Sequence, residues 1–197
     1  MDLRRAARAI GLGASALAVG VAVSGGRGRE LDERAFRAVN GLGDVRADRA
    51  FRAITELGSI WASVGAAGVL AASGRRRAAR RGLAAASLAW LAGQGMKRLF
   101  ERPRPYEADA EGTRLLIGPP RAAAFPSSHP AVLLAFVTVA GREAALGPSA
   151  RAALALLAGA VGLSRVAVGV HYPGDVAGGL LLGRAVSELL PGPPAGR

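Results

Sequence analysis

The sequence AALALLAGAVGLSRVAVGVHYPGD, residues 152–175, is a long apolar run that ends in a cluster of polar residues. Arg165 is the only charged residue within its first 19 positions, residues 152–170. A run of this length crosses a bilayer core of about 30 Å as a helix. An ionised side chain at that depth is costly unless an anionic partner or a wet cavity receives it. We therefore interpret this stretch as a membrane span whose arginine serves a functional site.

Five other segments are poor in charge, and together with this one they predict six spans. Three of them contain no charged residue over 18 to 20 positions, namely residues 9–26, 57–74 and 122–141. Residues 82–96 and 176–190 run for only 15, a length equally compatible with buried helices of a soluble bundle. We predict one all-α domain over residues 1–197, an integral-membrane helical bundle with about six transmembrane helices.

Composition excludes several classes of protein. Cysteine is absent, which removes disulfide frameworks, cysteine-ligated metals and cysteine nucleophiles. Aromatic residues make up only 5%, so the apolar content is mainly alanine, leucine and valine, and an all-β sandwich is disfavoured. The net charge is +12, but lysine occurs only at Lys97 and the arginine bias runs through the whole chain. Charge alone therefore does not indicate nucleic-acid binding, and we expect no nucleic-acid partner.

The distribution of arginine predicts the orientation in the membrane. Basic residues dominate the amino terminus and the second connection, whereas the first and third connections mix arginine with Asp and Glu. The positive-inside rule then places both termini in the cytoplasm. We expect an integral protein of the plasma (inner) membrane. A cleaved signal peptide is the alternative for residues 9–26, but the run exceeds a usual signal core, which favours a retained span. The Pro/Gly-rich tail, residues 191–197, is predicted to fray.

The first outer connection shows a helical pattern of its own. Its apolar residues recur at helical spacing, at Leu31, Ala35, Val39 and Leu42, with Phe36 beside them. The pattern predicts an amphipathic helix along the membrane surface, ended by Gly41 and Gly43.

The first of three polar strings is KRLFERPRP, residues 97–105. Pro103 and Pro105 stop a helix between Lys97 and Arg104, which allows the two cations to converge as an anion clamp. A basic collar at a membrane boundary is the structural alternative.

The second string is FPSSHP, residues 125–130. Pro and Ser before an apolar run indicate a helix start, where free backbone N–H groups and the hydroxyls of Ser127 and Ser128 form a site for phosphate. His129 then lies in the first turn. A structural histidine at a helix start is the alternative.

The third string adds His171 and Asp175 to Arg165. If Asp175 begins a helix, its carboxylate can accept from one ring nitrogen of His171 and leave the other as a nucleophile. A capping aspartate beside a surface histidine is the alternative. Both histidines and the only lysine of the chain fall in the three strings, and the predicted topology places all three strings on the outer face of the membrane.

In order and spacing the strings resemble the three-part signature of the type 2 phosphatidic acid phosphatase superfamily. The resemblance spans about residues 97–175 and implies a helical bundle that hydrolyses phosphate esters without a metal, through a phosphohistidine. It implies that Lys97, Arg104 and Arg165 hold the phosphate with help from Ser127, that His171 attacks phosphorus, that Asp175 orients His171, and that His129 protonates the leaving oxygen. Ser128 departs from the family pattern, which most often has glycine there.

The resemblance and the apolar spans predict a phosphatase of a membrane lipid. The expected substrate is a lipid phosphate or diphosphate of the phosphatidate, phosphatidylglycerophosphate or polyprenyl type, with no cofactor and no metal. One alternative keeps the site for soluble esters, phosphotransfer or vanadate-dependent oxidation. Another is a non-enzymatic basic membrane protein with a vestigial site. The motifs specify neither the head group nor the oligomeric state.

Overall fold

The computed structural model describes residues 2–192, and this part of the chain is helical without a strand. Residues 193–197 of the tail predicted to fray lie outside the described residues. The all-α prediction is confirmed. The helices are α1 (Leu3–Val23), α2 (Gly26–Asn40), α3 (Val45–Glu56), α4 (Ile60–Ala72), α5 (Arg76–Phe100), α6 (Pro105–Ala108), α7 (Ser128–Glu143), α8 (Pro148–Ala167) and α9 (Pro173–Leu189).

Helix α7 lies at the centre of the bundle, between α5, α8 and α9, while α1 packs along α9 and α4 along α5. Small residues bring these helices together. A Cβ atom at Gly82 of α5 would lie 2.9 Å from the Cβ of Ala140, and one at Gly183 of α9 would collide with the carbonyl of Ala131. Close contact through small residues is the usual packing of helices in membranes.

Two helices, α1 with 21 residues and α8 with 20, are each long and apolar enough to cross a membrane. Helices α3 and α4 together form a third candidate, bent by 64° at the break between them. Helix α5 is longer, at 25 residues, but both of its ends are charged. The six apolar segments thus correspond to α1, α4, α5, α7, α8 and α9.

The second apolar segment differs from its prediction. Residues 57–74 do not form one spanning helix, because α4 begins only at Ile60 and its 13 residues measure about 20 Å. The side chain of Ser59 caps α4 by accepting from the N–H of Ala62. Glycine at position 58 allows the bend to pack closely against the neighbouring helices, since a Cβ there would come within 2.8 Å of His129 and 2.6 Å of Val161. The bend therefore lies against one of the predicted catalytic histidines.

Helix α2 forms in the first connection, and it has two different faces. Leu31 and Ala35 of the predicted apolar stripe are exposed, as contact with a membrane surface requires. A neighbouring face, about 100° around the helix, is buried against α8 and α9, through Asp32, Phe36 and Asn40. Phe36 had been expected beside the apolar stripe, but it packs edge-on against Tyr172 with ring centroids 5.4 Å apart. Helix α3, capped by Asp44, had no counterpart in the sequence prediction.

Candidate active site

The three polar strings meet at one end of the bundle. The first begins in the last turn of α5, the second begins α7, and the third joins α8 to α9. Helix α5 ends at Phe100 and is capped by Glu101, which adopts the left-handed conformation with φ 42°. The chain then turns back so that Arg104 lies beside the third string. The predicted interruption between Lys97 and Arg104 is therefore present.

Arg104 is buried, and its guanidinium group contacts the predicted nucleophile. Its Nη1 donates to the carbonyl of Val170 at 2.7 Å and lies 3.2 Å from Nε2 of His171. Its Nε donates to the carbonyl of Ala122 at 2.7 Å. Since a guanidinium group has donors only, Nε2 of His171 faces Arg104 with its lone pair. The ring proton of neutral His171 is then on Nδ1.

The other ring nitrogen of His171 faces Asp175. Nδ1 lies 3.4 Å from Oδ2 of Asp175, and the N–H of Tyr172 donates to the same oxygen at 2.8 Å. Catalytic hydrogen bonds are often long before substrate binds. Burial, reinforced by the cations of Arg104 and Arg165, lowers the pKa of His171 well below its usual range. Neutral His171 therefore has the tautomer that a nucleophile needs, with Nε2 unprotonated.

Lys97 converges with Arg104 on one loop segment. Its ammonium group is buried and donates to the carbonyl of Ala123, next to the Ala122 carbonyl that Arg104 contacts. Residues 122–124 therefore tie both cations to the loop that leads into α7.

The first turn of α7 presents polar atoms without partners. Ser127 is at the N-cap and is fully buried, but its hydroxyl makes no capping bond. Among the described residues, Oγ of Ser127 and Oγ of Ser128 are buried without a hydrogen-bond partner. The backbone N–H of Ser127 donates to the carbonyl of Asp175 at 2.9 Å, which joins the second string to the third. A helix start with free hydroxyls is suited to bind an anion.

Arg165 is buried near the end of α8. Its Nη1 donates to the hydroxyl of Thr55 on α3 at 2.8 Å, and its Nε has no partner within residues 2–192. Thr55 itself is fully buried. Among the described residues the hydrogen-bond partner of this cation is a neutral hydroxyl from the unpredicted helix α3. The anion or wet cavity that the sequence indicates stays a prediction.

Sequence reasoning missed Arg102, Asp32 and Thr55. Arg102 is buried and donates to carboxylates on both sides, Asp175 and Asp32. In the sequence it is one of many arginines, and nothing distinguishes it from the exposed Arg98 of the same string. Asp32 could have been found from its position, since it is an acidic residue four before Phe36 on the face of α2 that packs inward.

Residues 2–192 contain no group of three or more His, Asp or Glu side chains placed to hold a metal ion. The metal-independent reaction stays a prediction.

These features define a class of protein, an integral-membrane helical bundle with two histidines and three cations at one end. Residues 77–191 match the PAP2 superfamily. Because this match covers more than half of the chain, the chain belongs to the PAP2 superfamily, and the resemblance stated from the three strings is confirmed.

Relatives of known name are similar over much of the chain. The decaprenylphosphoryl-5-phosphoribose phosphatase of Mycolicibacterium smegmatis is 36% identical over 119 residues, which cover 60% of this chain and 62% of that protein. The match therefore spans less than two thirds of that relative's length. The protein of the same name from Mycobacterium tuberculosis is 31% identical over 137 residues, which cover 70% of this chain and 73% of that protein.

Solved structures show the same fold. The transmembrane PAP2 type phosphatidylglycerolphosphate phosphatase of Bacillus subtilis superposes with a TM-score of 0.79 at 22% identity, covering 93% of this chain and 94% of that one. LpxE of Aquifex aeolicus gives a TM-score of 0.68 at 27% identity, covering 78% of this chain and 92% of that one. The first likeness extends to α1–α4, all of which precede the matched residues 77–191.

Proposed function

We propose that this protein is a metal-independent phosphatase that hydrolyses a phosphate monoester or diphosphate of a membrane lipid, with His171 as the nucleophile. One observation carries the proposal: Nε2 of a buried, neutral His171 faces the Arg104 guanidinium while Nδ1 faces Asp175. A nucleophile oriented by a carboxylate and placed beside a cation is the arrangement that attack on phosphorus requires.

In the first step, Nε2 of His171 attacks phosphorus and the bond from phosphorus to the lipid oxygen breaks. His129 protonates that oxygen as it leaves, and phosphate stays bonded to Nε2. In the second step a water attacks phosphorus, His129 takes a proton from it, and the phosphorus–nitrogen bond breaks to release inorganic phosphate. Asp175 holds the Nδ1 proton throughout and stabilises the positive charge that develops on the ring.

The phosphoryl group in transfer spreads negative charge over its equatorial oxygens, so its stabilisation depends on fixed donors and cations. Lys97, Arg104 and Arg165 supply the cations. The hydroxyls of Ser127 and Ser128 and the first N–H groups of α7 supply neutral donors. The unpartnered state of both hydroxyls and of Arg165 Nε among the described residues supports this assignment.

A membrane lipid fits the surroundings of the site. A cavity of about 680 Å³ lies beside Lys97 and is bounded by Trp90, Gln94, Arg98 and Arg121. It places a half-exposed tryptophan of α5 in the same cavity as Lys97. An amphiphilic substrate would meet both, with its phosphate at Lys97 and its chain along α5. The names of the mycobacterial relatives support a polyprenyl phospho-sugar phosphate as one such substrate.

The outer face of a plasma membrane is the proposed location of the site. The arginine-rich start of α5 lies at the opposite end of this helix from Lys97, and Arg77 and Arg81 pair there with Glu143 at the end of α7. Arginines in short connections stay in the cytoplasm. The catalytic end of α5 and the start of α7 then face outward.

The test is phosphate release by detergent-solubilised protein from a panel of substrates. The panel contains short-chain phosphatidate, phosphatidylglycerophosphate, a polyprenyl diphosphate, decaprenylphosphoryl-5-phosphoribose and a soluble aryl phosphate. We expect turnover of at least one lipid at a higher kcat/KM than the aryl phosphate. Faster turnover of the aryl phosphate than of every lipid would contradict the lipid assignment, and no turnover of any substrate would contradict the phosphatase.

A further inference from the structure

Arg102 bridges two buried carboxylates at the edge of the candidate active site. Its Nη1 lies 2.7 Å from Oδ1 of Asp175, and its Nη2 lies 2.8 Å from Oδ2 of Asp32. The three side chains are 6%, 0% and 7% exposed, so water screens these pairs little. Charge-assisted bonds of this kind are among the strongest in proteins and are sensitive to geometry.

The contact divides the two oxygens of Asp175 between two tasks. Oδ1 is bound by Arg102, while Oδ2 faces Nδ1 of His171 and the N–H of Tyr172. A carboxylate fixed at both oxygens cannot rotate away from the imidazole. Within the described part of the chain the side-chain hydrogen bonds of Arg102 go to Asp175 and Asp32, so its effect on the His171 ring passes through Asp175.

Asp32 and Tyr172 hold Arg102 in place. Oδ1 of Asp32 accepts from the N–H of Gly174 at 2.7 Å, while Oδ2 accepts from Arg102. The Arg102 guanidinium also stacks on the ring of Tyr172, 4.2 Å from its centroid. Gly174 is required for this approach, because a Cβ there would lie 2.7 Å from Oδ2 of Asp32. Asp32 thus links the surface helix α2 to the start of α9.

We propose that Arg102 is a positioning residue that holds Asp175 in the orientation in which it directs His171, and that Asp32 of α2 fixes Arg102 for this purpose. The proposal rests on the proposed function, in which His171 is the nucleophile. Removal of either residue should slow the chemical step and leave substrate binding nearly unchanged.

The test is a pair of double-mutant cycles on kcat for the phosphatase reaction. Arg102→Gln should lower kcat roughly 10- to 100-fold with little change in KM, the size of effect that is usual when a residue acts only by orienting a second, functional group. When Arg102→Gln is combined with Asp175→Asn, kcat should fall no further than in Asp175→Asn alone, because the orientation that Arg102 provides is already lost. Combined with Ser127→Ala, on the phosphate side, the two losses should multiply. Arg102→Lys should recover part of the loss, since an ammonium can still reach one carboxylate.

A second arginine–aspartate pair, more exposed than the first, serves as the control. Arg114 pairs with Asp48 of α3 at 2.6 Å, again an arginine from a loop with an aspartate of an outer helix. Asp48→Asn should leave kcat within about twofold, whereas Asp32→Asn should lower it as Arg102→Gln does. Asp32→Asn also keeps the test decisive if Arg102→Gln yields no folded protein, since it retains the guanidinium and enters the same cycles.

The outcomes separate this proposal from the proposed function. The positioning role would be overturned if the loss from Arg102→Gln or Asp32→Asn multiplied with the loss from Asp175→Asn. An unchanged kcat in both single variants would overturn it as well, while wild-type activity would stand. An inactive wild-type protein would overturn the proposed function, and the positioning role with it.

Discussion

Arg104 Nη1 and His171 Nε2 lie 3.2 Å apart, the cation facing the lone pair of the proposed nucleophile. Contact with Arg104 keeps Nε2 unprotonated before substrate binds. It also places a positive charge where the oxygens of an attacked phosphoryl group would lie.

His171→Ala should abolish turnover, because it removes the attacking atom. Asp175→Asn should retain the ring but lower kcat roughly 10³- to 10⁴-fold, as loss of the orienting carboxylate does in hydrolytic triads. Steady-state phosphate release measures both. Acid-labile phosphate trapped on the wild-type protein should map to His171, and a label on His129 would reverse the two roles.

His129→Ala should slow the reaction in a way that depends on the leaving group. With a lipid alcohol as leaving group the loss should be roughly 10²- to 10⁴-fold, the range for general acid catalysis. A nitrophenyl phosphate needs no proton on its leaving oxygen, so phosphorylation of His171 should continue. The comparison of burst amplitudes with the two substrates checks this, and equal losses with both would contradict the acid role.

Arg165→Lys should lower kcat/KM by at least about 100-fold, although it conserves charge. Arg165 reaches Thr55 through Nη1 and keeps Nε for phosphate, and a single ammonium cannot serve both. Arg77→Lys is the control: it is 61% exposed, pairs with Glu143 and should keep full activity. Equal activity of the two variants would make Arg165 a structural charge.

Activity should survive excess EDTA and be inhibited by vanadate. The donors named above stabilise phosphate without a metal, and vanadate adopts the trigonal-bipyramidal shape of the transferring group. Phosphate release with and without each reagent is the measurement. Loss with EDTA and recovery with magnesium or zinc would refute the metal-free mechanism.

Sidedness can be measured with single cysteines, because the chain has none of its own. Ala110→Cys, in the exposed loop after α6, should react with an impermeant thiol reagent added to intact cells. Ser73→Cys, exposed between α4 and α5, should react only after lysis. A cysteine at Ala79, in the arginine-rich start of α5, would be unsuitable, because Ala79 is buried and a lack of labelling there would report burial instead of sidedness. The reverse labelling pattern would place the site in the cytoplasm.

Charge patterning located most of the fold. Residues 9–26, 82–96 and 152–170 fall within or largely within α1, α5 and α8, because long uncharged runs favour helices that can lie in a membrane. The break between α3 and α4 escaped prediction because Gly58 and Ser59 lie inside an uncharged run. A serine three residues before the N–H it caps was the available signal.

The candidate site, too, could be predicted from the sequence only in part. The three strings contain rare residues, two histidines and one lysine, at spacings that stand out in any sequence. Arg102, Asp32 and Thr55 have common side chains, and their contacts join positions 70 to 110 residues apart. Only the packing of α2 and α3 against α8 and α9 brings such pairs together, and hydropathy does not encode it.

The cations of the site are held by neutral oxygens. Lys97 and Arg104 donate to backbone carbonyls, and Arg165 donates to a hydroxyl, while Arg102 serves the carboxylate of Asp175. Dipoles fix the direction of these side chains without cancelling their charge. The pocket thus attracts anions, and its poorly screened surroundings strengthen that attraction. A dianionic phosphate that enters the pocket does not have to displace a carboxylate from these cations, so their attraction acts on the substrate alone.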